Sequence, residues 1–119
     1  MEKNRKVSVL RIYISSTDKE GHQPLYESIV FKAREAGLAG ATVTKGVLGF
    51  GTSSVINSYK FWEVMEKVPV VVEIIDEYKR IEGFYASISS MLEDMPYGCL
   101  VTCDTTNLLL KKSGKASKG

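Results

Sequence analysis

The sequence is poor in the side chains that hold metals. It has one histidine and two cysteines in 119 residues, too few to assemble a zinc site of known ligand spacing. Cys99 and Cys103 stand four apart on a segment that reads as a strand. At about 3.4 Å per residue they are too distant to bridge each other, and they read as small buried hydrophobes on one face. Long apolar runs are missing as well. The densest, Val68 to Ile75, is interrupted by Pro69 and Glu73, whereas a spanning helix needs about 20 apolar residues; no direct membrane insertion is expected. The opening MEKNRKVSVL has charges but no apolar helix or small-residue cleavage site behind them, so it is not read as a signal peptide and a cytoplasmic location is expected. No Ser/His/Asp or Cys/His set is evident, because the one histidine, His22, sits in a polar approach to Pro24. Asp18 and Glu20 beside it read as solvent-facing. The expectation is a protein that is not an enzyme.

What is present is an ordinary globular balance, 44% apolar and 25% charged residues. A chain of this length makes one domain and buries enough surface to fold without a staple. The net charge of +2 conceals an asymmetry: residues 111–119 carry +4, residues 1–6 carry +2 and the middle carries −4. A nucleic-acid binder spreads its basic patch over the folded surface, so nucleic acid is not an expected partner. The division is a flexible N-terminus (1–6), one domain (7–111) and a flexible basic tail (112–119).

Val7–Ile14 reads as a strand, followed by the polar loop SSTDKEGH. Pro24 suits the first position of a helix that carries Leu25, Ile29, Val30, Ala33 and Ala36 at helical spacing and stops at Gly37. Gly40–Leu48 and Val68–Ile75 are the next strands. Asp76 can cap a second helix with Ile81, Phe84, Tyr85, Ile88, Leu92 and Met95 on one face, and Pro96 ends it. Gly98–Asp104 and Thr106–Lys111 close the chain as two short strands. The fold class expected is therefore α+β, a ferredoxin-like βαββαβ sandwich with an extra C-terminal strand.

Two helices cover one face of a four-stranded sheet, so the strands of a monomer should alternate apolar and polar. Here Leu10, Ile12 and Ile14 are opposed by Val7, Val9 and Tyr13, and Val70, Val72 and Ile74 by Val71 and Ile75. Both faces are substantially apolar, which predicts a homo-oligomer. Between strands two and three lie 19 residues, 49–67, where a hairpin needs two to five; links of this length usually carry function. Phe61, Trp62, Val64 and Met65 suggest a short helix inside it.

The sharpest local pattern is Gly46-Val-Leu-Gly49-Phe50-Gly51-Thr52-Ser53-Ser54 at the exit of strand two. Glycines let a backbone approach a ligand closely, successive N–H groups can cradle an anion, and the three hydroxyls add donors. The spacing imitates a phosphate loop, but the lysine is missing and no clear helix follows, so a nucleotide-hydrolase motif fails. Lys45 and Gly46 join the candidate ligand-binding set from this local chemistry. Glu73, a carboxylate among β-branched neighbours, either accepts from an adenine or ribose group or pairs in the sheet with Arg11 or Lys45.

The run IYISSTDKEGHQPLYESIVFKAREAGLAGATVTKGVLGFGTSS, with the later VPVVVEIID and GCLVTCD, resembles the uncharacterised PII-like family, a domain of unknown function. More distantly, Gly37–Thr44 followed by Gly49-Phe50-Gly51 is similar to the strand-to-loop signature of nitrogen-regulatory PII proteins. The resemblance covers nearly residues 7–111. It implies a homotrimer of ferredoxin-like subunits that binds adenine nucleotides in clefts between neighbours, at the root of a long mobile loop that meets partner proteins. It places Thr42 and Gly49-Phe50-Gly51, and more loosely Glu73, on nucleotide-touching positions. The chain departs from the PII pattern at Glu93–Gly98, where PII has a glycine-rich loop with a phosphate-binding lysine, and near the C-terminus, where PII arginines have no counterpart. With fewer cations to neutralise a triphosphate, AMP or ADP is the favoured effector, and no cofactor is required. Gene context in the family points to a membrane transporter, a fluoride exporter, as a partner. Two alternatives stay open: a trimeric scaffold that has lost its ligand, and a small phosphatase on the same fold.

Overall fold

The computed structural model describes residues 5–52, the backbone of 57–58, and residues 67–115. Four strands and two helices carry the fold: β1 (Arg5–Ser15), α1 (Leu25–Glu35), β2 (Gly40–Lys45), β3 (Pro69–Asp76), α2 (Tyr78–Asp94) and β4 (Leu100–Leu108). The sheet order is β2-β3-β1-β4 with every neighbouring pair antiparallel. This is the ferredoxin-like arrangement expected from the sequence. The C-terminal end differs from expectation, since the two short strands are one continuous strand. Antiparallel pairing with β1, from Arg5↔Leu108 to Tyr13↔Leu100, carries the backbone straight through the polar Asp104–Asn107 stretch. β2 also stops early, at Lys45, and Leu48–Gly49 instead pairs with Asn57–Ser58. The helix suggested by residues 61–65 lies outside the described residues.

Register sorts the two faces. Leu10, Ile12 and Ile14 stand with Val70, Val72 and Ile74 over Leu25, Ile29 and Ala33 of α1 and Ile81, Phe84, Ile88 and Leu92 of α2. These buried side chains form the core, at roughly 1.5–3 kcal/mol for each large one buried. Gly37 ends α1 with φ +77°, a conformation that costs a residue with a Cβ. Asp76, two residues before α2, is not its cap, for the N-cap is Glu77 and makes no side-chain cap hydrogen bond. The buried Asp76 carboxylate instead ties down the entry to the helix. One carboxylate oxygen accepts from Glu77 N–H at 2.6 Å, and the other from Ala39 N–H at 2.9 Å and Arg80 Nε at 3.1 Å.

The second face is more mixed than the strand pattern suggests. Val7 and Val9 are already buried, whereas Tyr13 is 39% and Leu100 52% exposed. Between them Arg11 Nε donates to Glu73 at 3.0 Å and Arg11 Nη1 to Asp104 at 2.8 Å. No helix among the described residues is long and apolar enough to cross a membrane.

Candidate functional site

A cavity of about 310 Å³ opens where the ends of three strands meet. β1 contributes Tyr13, Ile14 and Ser15, β3 contributes Pro69, Val70 and Val71, and the start of β4 contributes Leu100. Two loops complete it: Phe50, Gly51 and Thr52 at the root of the long link, and Pro96, Tyr97, Gly98 and Cys99 before β4. Its volume is at the lower end of small-molecule sites.

The loop root is seated by packing. Gly46 N–H donates to Pro69 O at 2.7 Å, and Cβ atoms built on Gly46 and Gly49 would come within 3.1 and 3.2 Å of the Pro69 ring. The far end of the link is tied down too, for Ser16 N–H donates to Val68 O at 2.9 Å while Val68 N–H donates to Ser16 Oγ at 3.0 Å. Both ends of the 49–67 segment are thereby anchored at one end of the sheet.

The ionisable groups lining the cavity are Asp18, Lys67, Cys99 and the phenols of Tyr13 and Tyr97. Asp18 is 3% exposed, which corrects its reading as solvent-facing. Burial pushes its carboxyl above the ordinary aspartate range, opposed by a hydrogen bond from Ser15 N–H and by the charge of Lys67. Burial likewise pushes the Cys99 thiol up, with the Asp18 carboxylate adding to it. Glu20 is not free in solvent either. It accepts from Lys32 Nζ at 2.8 Å and from Ser28 Oγ, and these two donors hold its carboxyl below the ordinary range.

The candidates read from sequence are not all brought together. Phe50, Gly51 and Thr52 line the cavity, and Gly46 and Gly49 flank the Pro69 that lines it. Thr42 and Glu73 are cross-strand partners on the face away from the helices, in the row next to Tyr13 and Val71. Glu73 is paired with Arg11, one of the two in-sheet partners that the sequence leaves open. Lys45, the other, holds its Nζ 5.5 Å from the centroid of the Tyr26 ring on the α1 side. Ser53 and Ser54 lie outside the described residues. Sequence reasoning missed Asp18, Lys67, Tyr97 and Cys99 as one group. The available signal was the Ser15–Asp18 spacing of a tight turn, in which the Asp18 side chain turns back to the Ser15 N–H at 3.0 Å.

Residues 7–108 match the model of a protein family described as Uncharacterized ACR, DUF190. Among curated relatives, a UPF0166 protein of Aquifex aeolicus (strain VF5) is 37% identical over 83 residues, 70% of this chain and 79% of that protein. A UPF0166 protein of Methanocaldococcus jannaschii is 31% identical over 89 residues, 75% of this chain and 82% of the relative. Among solved structures, CPII of Thiomonas intermedia K12, a nitrogen regulatory PII-like protein bound to ADP, AMP and bicarbonate, superposes with TM-score 0.62 at 13% identity over 88% of this chain and 92% of its own. A PII-like signaling protein of Thermus thermophilus gives TM-score 0.63 at 15% identity over 91% and 94%. The fold is PII-like.

Proposed function

The chain belongs to the DUF190 family, and from its PII-like fold we propose that it is a PII-like regulatory protein, one that binds an adenine nucleotide at the cavity and passes the bound state to a partner protein through residues 49–67. The supporting observation is that the two segments meeting in the cavity are Phe50–Thr52, at the root of that link, and Tyr97–Gly98, on the loop before β4. A ligand held there touches the root directly. It shifts the conformers of the link by as much as it favours one over another. The CPII structure bound to ADP and AMP supports the ligand class.

AMP and ADP are favoured over ATP because Lys67 is the one cation among the described residues that line the cavity. Phe50, Gly51 and Thr52 stay in the proposed site, with Ser53 and Ser54 next along the chain as hydroxyl donors. The assembly proposed is a homotrimer that packs the sheet face bearing Tyr13 and Leu100, and Thr42 and Glu73 reach a nucleotide only through a neighbouring subunit on that face. The activity is binding and signalling rather than catalysis, and the partner a protein such as a fluoride-exporting membrane transporter.

Calorimetric titration of AMP, ADP, ATP and cyclic AMP into the nucleotide-stripped protein tests the reading. Saturation near one AMP or ADP per subunit, with ATP weaker, is expected. No heat from any of the four moves the protein to a ligand-free scaffold, and release of phosphate from an acyl phosphate above blank moves it to an enzyme.

A further inference from the structure

Asp18 combines three properties at the cavity. It is 3% exposed, it lines the cavity, and its carboxylate accepts a single hydrogen bond among the described residues, from Ser15 N–H to Oδ2 at 3.0 Å. Its backbone is held on both sides: its N–H donates to Ser15 O at 3.1 Å and its carbonyl accepts from Leu25 N–H at 2.8 Å. The side chain is therefore held in place, with Oδ1 lacking a donor among the described residues. Oδ1 is not fully enclosed, so it stays open to the cavity, where a ligand donor can reach it. Tyr13, Phe50, Tyr97, Val71 and Leu100 give the surrounding wall its apolar part. A planar heteroaromatic ring that carries one outward N–H donor suits such a wall with one acceptor at its edge.

We propose that Asp18 selects the base of the bound nucleotide, Oδ1 accepting a hydrogen bond from the exocyclic 6-amino group of the purine while the ring lies among Tyr13, Phe50 and Tyr97. This rests on the nucleotide reading above and adds to it the residue that discriminates between bases. A site built to hydrogen-bond a ligand N–H rejects the analogue that lacks it, because its own buried group is then left unpaired.

The experiment compares AMP with purine riboside 5′-monophosphate, which has hydrogen in place of the 6-amino group, by calorimetry on the wild-type protein and on Asp18→Asn. The wild type is expected to prefer AMP by about tenfold or more. In Asp18→Asn the side-chain oxygen stays with the Ser15 N–H, so the amide NH₂ turns to the cavity and donor meets donor. AMP should then weaken about tenfold or more and the analogue change by less than about threefold, bringing the ratio near one. Equal affinity of the wild type for the two ligands, or an unchanged preference in Asp18→Asn, overturns the assignment and leaves the nucleotide reading standing. Binding of neither ligand by the wild type overturns both. If Asp18→Asn does not fold, the wild-type comparison alone decides.

Discussion

Thr52 Oγ1 lies against the Cα of Gly98, so close that a Cβ built on that glycine would run into the hydroxyl. The root of the 49–67 segment thus rests on the loop that feeds β4, and glycine is required there by contact with its neighbour. Gly98→Ala forces the Thr52 hydroxyl to move, by a turn of its side chain or a shift of the root away from the cavity wall. Both residues are exposed and apart from the core, so circular dichroism and thermal melting should stay close to wild type while AMP affinity falls about tenfold. Adding Thr52→Ala removes the clashing hydroxyl and should restore part of that loss. An unchanged affinity in Gly98→Ala would separate the root from the ligand site.

Lys67 lines the same cavity, and its charge is felt by Asp18. A phosphate placed there gains a charge-assisted partner that ionic strength weakens. Lys67→Gln should reduce AMP and ADP affinity about tenfold and flatten the salt dependence of binding measured by calorimetry. A variant with wild-type affinity and an unaltered salt slope places the phosphate elsewhere.

Tyr13 and Leu100 are cross-strand partners on the sheet face without helices, and both are exposed in the single chain. If a neighbouring subunit covers them, a charge at that position is buried unpaired and breaks the contact. Multi-angle light scattering should give three times the chain mass for the wild type and one chain mass for Leu100→Glu. A wild-type protein that runs as a monomer at micromolar concentration removes the trimer.

Two carboxylates should make opposite contributions to acid stability. Asp18 has its pKa raised by burial, so its ionisation costs more in the folded chain, and its contribution to stability declines as pH rises from the ordinary aspartate value of 3.8 through the raised one. Asp18→Asn should therefore gain on the wild type as pH rises across that interval, with the difference fading below it. Glu20 has its pKa lowered by Lys32 and Ser28, so its contribution is present above the ordinary value of 4.5 and is lost as pH falls through the lowered one. Glu20→Gln should lose against the wild type above that window, by a small amount because the pair is partly exposed. Urea unfolding midpoints from acid to neutral pH measure both slopes.

The helices were legible because their signals are local. Leu25, Ile29 and Ala33, and Ile81, Phe84, Ile88 and Leu92, recur at helical spacing and are buried where that spacing puts them, and Gly37 has the left-handed φ expected of a helix stop. The glycine run at the loop root was legible for the same reason, since its residues are neighbours in the chain. β4 was misread as two strands because Asp104 and Asn107 carry weak strand propensity, while the length of β1 opposite decided that it pairs throughout.

By itself, then, the sequence determined the order of elements, the apolar face of each helix and the Phe50–Thr52 corner of the candidate site. These depend on spacing within single segments. Only the tertiary structure decided that Asp18 is buried, that Arg11 rather than Lys45 holds Glu73, and that Asp18, Lys67, Cys99 and Tyr97 share one cavity. Those facts depend on strand register and on the Ser16–Val68 tie, which bring together groups separated by tens of residues. No periodicity along one chain encodes such a distance.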